Sequence, residues 1–134
     1  MENKYLGSEV METQDVPLQA ILVKSIVDIA AEEWRFRRIF EKVMQKLEID
    51  EQKKYMSQYL WFNKKVSTAI ENAGLRIIDL ENIEYDAGMA VTPLNLDDFK
   101  SYEGLFIEQM VEPIIMDATS IIRMGSVILG RREK

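Results

Sequence analysis

The chain has 134 residues, 47% of them hydrophobic, which is enough for one modest domain with a buried core. It contains no cysteine and no histidine. Disulfides and thiolate metal sites are therefore excluded, and the commonest general base and transition-metal ligand are missing. The composition predicts a protein that is not an enzyme, with no catalytic residue, metal ligand or cofactor.

The formal net charge of −6 is unevenly distributed along the chain. Residues 1–74 carry 11 Lys and Arg against 12 Asp and Glu, whereas residues 75–134 carry 6 against 11. The acidic second part repels phosphate backbones and suits a basic protein surface, although acidic surfaces also serve solubility. No apolar run approaches the roughly twenty residues of a membrane span, and the N-terminus lacks a signal-peptide core. We therefore expect a cytoplasmic protein that binds neither nucleic acid nor membrane.

Residues 1–16 show no period and are expected to form a mobile arm, and Pro17 marks a helix start. After Pro17, apolar residues recur at alternating spacings of four and three, with one polar interruption at Glu33, which is the pattern of a heptad seam. The members of this seam are Leu22, Ile26, Ile29, Phe36, Phe40, Val43 and Leu47. A neighbouring stripe, which includes Val27 and Trp34, is also apolar, so this helix must bury two adjoining faces.

A second helix, capped by Asp50, is predicted to follow and to end at Gly74. Glycine after the last periodic residue, followed by the apolar Leu75, is typical of a Schellman cap. Residues 17–74 form either a hairpin within the chain or a bundle between two copies. Because only one other long helix can cover the first, a homodimer is favoured. Its interface is predicted to comprise the seam together with Tyr59, Phe62 and Val66.

After Gly74 the apolar period changes to two, so residues 75–134, here called the β region, are predicted to form strands. Short strands are expected at 75–80, 83–85 and 89–92, with a turn at 86–88 and a polar loop at 95–104. Two longer strands, 106–116 and 121–129, should form a hairpin around the turn Asp117–Ser120. The predicted fold class is α+β: a helical stem in a dimeric bundle followed by a small C-terminal β module.

Two groups of charged residues are candidate binding sites. The acidic positions of the β region match no calcium loop and are expected to be solvated; they are Asp79, Glu81, Glu84 and Asp86. A basic cluster on the first helix, Arg35, Arg37, Arg38 and Lys42, is expected to pair with nearby glutamates at helical spacing. Neither group predicts an active site.

The segments AIENAGLRIIDLENIEYDAGMA and SIIRMGSVILGR resemble GrpE, the nucleotide exchange factor of DnaK-type chaperones. The shared features are a helix closed by glycine at Gly74, an apolar strand, a turn at Tyr85-Asp86-Ala87 and a last hairpin with an Ile-Arg pair at Ile122-Arg123. The resemblance covers about residues 50–131 and rests on spacing and order more than on one motif.

The resemblance implies a parallel homodimer with paired helices and a β-wing on each chain, which holds the chaperone's nucleotide cleft open so that ADP leaves. It places the partner contact on the wing, near Met89, Ile122, Arg123 and Met124, and makes Gly74 the hinge between stem and wing. The competing expectation is that Arg123 only pairs with a wing carboxylate such as Glu112.

The chain also departs from the GrpE pattern. Ala87 stands where the family has proline, and Thr119-Ser120 replace the Gly-Arg of the last hairpin. The N-terminal coil is much shorter. The alternative function is therefore a GrpE-fold adaptor or structural subunit of a multiprotein assembly, without exchange activity.

Overall fold

The computed structural model describes residues 17–132, in which two helices precede six short strands. The helices are α1, Leu18–Gln45, and α2, Ile49–Asn72. The strands are β1 Arg76–Ile78, β2 Val91–Pro93, β3 Leu105–Glu112, β4 Ile114–Met116, β5 Ile121–Arg123 and β6 Gly125–Arg131. This arrangement confirms the α+β class. The arm predicted at residues 1–16 lies outside the described residues.

The two helices form an antiparallel hairpin whose outer limits match the prediction. Pro17 precedes the first helical residue with an extended backbone, as expected for a helix start. The predicted cap at Asp50 is wrong, because α2 begins after Glu48, and Asp50 lies in the first turn. There its negative charge favours the positive end of the helix. The loop between the two helices is instead held by Gln52, whose side-chain amide donates a hydrogen bond to the Leu47 carbonyl at 2.9 Å.

The predicted Schellman cap at the end of α2 is confirmed. Gly74 has a φ of +80°, in the left-handed region that favours glycine. The Gly74 N–H donates to the Glu71 carbonyl at 2.9 Å, and the Leu75 N–H donates to the Ile70 carbonyl at 3.2 Å. Ile70 and Leu75 are both buried and pack together, which is the apolar contact that accompanies this motif.

The strands form two three-stranded sheets. In the first, β4 lies between β1 and β5, and both pairings are antiparallel. In the second, β6 lies between β2 and β3 and pairs parallel with β2 and antiparallel with β3. The predicted strand at 83–85 is reduced to a single bridge between Glu84 and Phe106, and the loop at 95–104 contains a 3₁₀ turn, Leu96–Asp98.

The last hairpin bends from one sheet into the other. Its turn at Asp117–Ser120 is confirmed, with the Asp117 carboxylate accepting the Ser120 N–H at 2.8 Å. The prediction of two unbroken strands is wrong, because they break at Pro113 and Met124. Proline has no N–H for a sheet ladder. At the same corner a Cβ on Gly125 would lie 2.8 Å from the Glu112 carbonyl oxygen, so only glycine fits without a shift.

Two cores hold the chain together. The main core lies in the β region and also contains Trp34 of α1, which is 3% exposed. The second core joins α1, α2 and β4; its buried members are Val27, Ala30, Ala31, Ile70, Leu75 and Ile115. The boundary at Gly74 therefore separates helices from strands along the chain, but α1 contributes to the main core of the β region.

Candidate functional site

Most apolar residues of the predicted α1 seam are left exposed by the described part of the chain. Ile29 is 67% exposed and Phe36 is 60% exposed, although both are large apolar residues. The exposed seam members are Leu22, Ile26, Ile29, Phe36 and Val43. The neighbouring stripe of the same helix, with Val27 and Trp34, is buried. The prediction that α1 carries two apolar faces is thus confirmed, and residues 17–132 cover only one of them.

The seam continues onto α2 through a cluster of aromatic side chains near the helix connection. The ring centroids of Phe36 and Phe40 are 6.0 Å apart, and those of Phe40 and Tyr59 are 5.2 Å apart. The Tyr59 hydroxyl donates to the Glu41 carboxylate at 2.5 Å. Burial, and then this hydrogen bond, raise the pKa of Tyr59, so the hydroxyl stays protonated and continues to donate.

Two further aromatic residues of α2 stand beside this cluster. Tyr55 is 42% exposed and Phe62 is 45% exposed. Together with Phe36 and Phe40 they line a shallow pocket of about 280 Å³. We call this set the aromatic end of the seam: Phe36, Phe40, Tyr55, Tyr59 and Phe62.

Asn63 lies at the inner side of the same pocket. Its Oδ1 atom is buried and has no hydrogen-bond partner among the described residues. A buried polar atom without a partner is unusual in a folded protein and costs stability. Val66, one turn further, is half-buried against the second core. Of the α2 residues predicted at a dimer interface, Phe62 is therefore exposed, while Tyr59 and Val66 contact their own chain.

A groove of about 720 Å³ separates the start of α1 from β5. Its α1 side includes Ala20, Val23 and Val27, and its β5 side consists of Ile122 and Arg123. This groove contains two of the four residues that the resemblance placed at the partner contact.

The four predicted contact residues have different environments. Ile122 is 40% exposed and Met124, at the corner after β5, is 49% exposed. Met89 is half-buried against the main core. The structure therefore gathers Ile122, Arg123 and Met124 on one edge of the β region and turns Met89 towards the interior.

Arg123 forms ion pairs within the chain. Its guanidinium lies 3.3 Å from the Asp28 carboxylate of α1 and 3.6 Å from the Glu112 carboxylate of β3. The pKa of Asp28 is lowered, chiefly by the hydrogen bond from Lys24 and also by Arg123. The expected pairing with Glu112 is present, and the pair with Asp28 additionally ties β5 to α1.

Sequence reasoning missed the contact that fixes α1 on the β region. The Arg38 guanidinium pairs with Glu81 and with Asp79, the latter at 3.5 Å. Glu81 also accepts the Met110 N–H at 2.8 Å, and Arg38 lies 4.7 Å from the centre of the Trp34 ring. The expectation that these carboxylates are solvated therefore holds for Asp79, whose side chain is 41% exposed, and is wrong for Glu81, which is half-buried. Their partner lies about forty residues away in sequence, which no local pattern reveals.

Within residues 17–132 no group of three or more metal-ligating side chains is present. In the same part of the chain, no helix is long and apolar enough to cross a membrane. Comparison of the chain with protein-family models, with curated proteins and with solved structures gives no match in any of the three.

Proposed function

We propose that the protein is a homodimeric, GrpE-like co-chaperone that promotes ADP release from a DnaK-type ATPase. The observation that carries the proposal is the uncovered seam of α1, which runs into the aromatic end on α2. Large contiguous apolar patches on a protein surface commonly mark sites of protein–protein contact. A second copy of the same seam is a natural cover, since heptad spacing suits the packing of one helix against another.

The buried Oδ1 of Asn63 supports a partner at the aromatic end. A second chain that covers Phe36 and Phe62 would bring its own donors close to this pocket. In helical bundles a single polar group at such a position fixes the register of the partner helix. The homodimer proposal therefore accounts for both the exposed apolar face and the unpartnered amide oxygen.

The coupling of α1 to the β region supports an exchange role. Trp34 is buried in the main core, and Arg38 is paired to Asp79 and Glu81, so the helix and the β region are held together. An exchange factor acts by binding the open state of its partner more tightly than the closed state. A β region that is held firmly by the dimer stem would resist displacement when the ATPase moves towards its closed state. By linkage, nucleotide affinity then falls by the same free energy.

The edge formed by Ile122, Arg123 and Met124 is the proposed contact with the ATPase. It borders the groove at the start of α1, so a partner there touches both the stem and the β region. Exposed apolar side chains beside an arginine are typical of the central part of a protein interface.

One observation favours the second candidate, a GrpE-fold adaptor without exchange activity. The Arg123 guanidinium is paired with Asp28 and Glu112 of its own chain, and its side chain is 33% exposed. The turn before it carries Thr119-Ser120 in place of the family's Gly-Arg. An adaptor would use the same edge to hold a partner without opening a nucleotide cleft.

The deciding experiment measures release of fluorescently labelled ADP from a DnaK-type chaperone, with and without the full-length protein. The exchange proposal predicts faster release, and the double variant Ile122→Thr, Met124→Gln should remove most of the acceleration. Both substitutions replace an exposed apolar side chain by a polar one of similar or smaller size and do not change Asp28, Glu112 or Arg123. Ile83→Thr is the matched control, since Ile83 is an exposed isoleucine of the β region, outside the groove.

Each outcome decides between the candidates. Binding of the chaperone without faster release would support the adaptor and refute the exchange role. No binding at all would refute the exchange role and would assign an adaptor to an assembly without a DnaK-type chaperone. Equal activity of the double variant and the control would move the contact away from the β5 edge.

A further inference from the structure

The outer face of α2 carries an unusual combination of side chains for a chain with a net charge of −6. Between Glu51 and Glu71 the helix contains four lysines and no acidic residue. The residues on this face follow spacings of three and four, so they lie together on the helix surface. We call them the lysine face: Lys53, Lys54, Ser57, Leu60, Trp61, Lys64 and Lys65.

Two apolar side chains stand in the middle of the lysine face. Trp61 is 63% exposed and Leu60 is 56% exposed. One lysine pair precedes them on the helix and the other follows them, about 15 Å apart at the helical rise per residue. The Lys65 ammonium lies 5.5 Å from the centre of the Trp61 ring.

The four lysines contrast with the arginines of α1 and β5. Arg35, Arg37, Arg38 and Arg123 all form ion pairs. Among residues 17–132, none of the four lysines of the lysine face is within ion-pair distance of a carboxylate. Their charge is therefore not neutralised by these carboxylates.

Although the sequence predicts a protein that does not bind membranes, we propose that the lysine face docks on an anionic lipid bilayer surface. Trp and Leu with flanking lysines are the composition of helices that lie in the membrane interface, where lysine stems extend towards lipid headgroups. All four basic residues of this face are lysines and none is arginine, which favours a lipid surface over a defined site on a protein or nucleic acid. Lysine is a flexible, hydrated point charge that suits a diffuse negative surface, whereas arginine provides fixed two-pronged recognition.

The geometry allows this contact together with the proposed dimer, and neither proposal depends on the other. Trp61 and Lys64 point away from α1, while Ile70, on the opposite face of α2, is buried against it. A dimer formed through the seam would present two lysine faces, and two linked contacts bind more tightly than one.

The test uses the full-length protein and vesicles of phosphatidylcholine with about one third phosphatidylglycerol, compared with pure phosphatidylcholine. Co-sedimentation should show binding to the anionic vesicles only, weakened by added salt because the attraction is screened. Emission should shift to the blue through Trp61, because Trp34 is already buried. Lys64→Gln with Lys65→Gln should lower partitioning about 25-fold, at roughly fivefold for each lysine near the surface.

The matched control is Lys42→Gln with Lys46→Gln. It removes the same charge from two exposed lysines outside the lysine face and should change partitioning less than about fivefold. Equal losses in the two double variants would overturn the proposal, as would equal binding to both kinds of vesicle. In a competition assay, single-stranded DNA and a water-soluble phosphatidylglycerol are each added to the vesicle-bound protein. If the DNA displaces the protein at the lower concentration, the lysine face binds nucleic acid instead.

Discussion

The helical hairpin and the β region bury their apolar residues to very different degrees. The β region encloses a core in which Ile107 and Val127 are fully buried, whereas the whole of α2 has one buried residue, Ile70. The hairpin instead exposes the seam and the aromatic end. The core of the β region is thus covered by the region's own residues and by Trp34 of α1. The apolar surface of the hairpin is covered only in part. This difference makes the helices, rather than the β region, the part of the chain where we expect a partner to bind.

The largest expected effect comes from the one helix residue that belongs to the β core. Trp34→Ala should destabilise the protein by about 3–5 kcal/mol, the usual cost of removing a buried large aromatic side chain. The measurement is the free energy of unfolding in a denaturant titration. The matched change Trp61→Ala removes an exposed side chain and should cost less than about 0.5 kcal/mol. Similar costs for both would mean that α1 is not part of the β core.

A charge on the seam tests whether the exposed half of the hairpin is a dimer interface. Phe36→Asp should raise the dimer dissociation constant at least about 100-fold, because an unpaired carboxylate would be buried in the interface. Light scattering at micromolar concentration should give about twice the chain mass for the native protein and the single-chain mass for the variant. Phe40→Asp is less informative, because Phe40 also stacks on Tyr59 of its own chain.

The control for the seam is Leu60→Asp, which places the same charge at an exposed apolar position on the outer face of α2. This variant should remain a dimer. A native protein that is a monomer at all concentrations, yet unfolds cooperatively, would contradict the homodimer.

The connection between α2 and β1 passes through Gly74. The effect of a substitution there on stability is predicted to depend only on backbone conformation. A Cβ on Gly74 would meet no atom within 4 Å, so the strain comes from the positive φ alone. Gly74→Val should therefore cost about 1–2 kcal/mol in a denaturant melt. Gly88→Ala serves as the control, since its φ is not positive and its nearest contact is 3.8 Å, and it should be nearly neutral. Equal stability of the two variants would show that the cap does not constrain this connection.

The smallest effect concerns Glu33, the polar interruption of the seam. Burial raises the pKa of its carboxyl, and the nearby Arg37 opposes this only in part. A raised pKa means that the folded chain binds the proton more tightly than the unfolded chain, so the ionised carboxylate disfavours folding at neutral pH. Glu33→Gln should thus be slightly stabilising at pH 7, by up to about 0.5 kcal/mol.

This gain should disappear as the pH falls below the usual glutamate pKa of about 4.3, where both states are protonated. Thermal melts at pH 7 and at pH 4 measure it. Glu32→Gln, on the solvated side of α1, should show no such pH dependence. A gain for Glu33→Gln that persists unchanged in acid would rule out burial as its cause.

The sequence by itself determined the elements whose signals are local. The helix start after Pro17, the cap at Gly74 and the turn at Asp117–Ser120 each depend on residues within one turn of chain, so spacing and residue type are sufficient. The two apolar faces of α1 could also be predicted from the sequence, because helical periodicity places their residues in separate rows along the helix.

Only the tertiary structure decided which of these faces the chain covers. The stripe with Trp34 is buried because the β region packs against it, whereas α2 stacks on the seam at Phe40 and leaves residues such as Ile29 and Phe36 exposed. The pairing of Arg38 with Glu81, the bend at Pro113 and Gly125, and the groove between α1 and β5 likewise join residues distant in sequence. Such contacts depend on how the elements pack in three dimensions, and neither periodicity nor local residue preference carries that information.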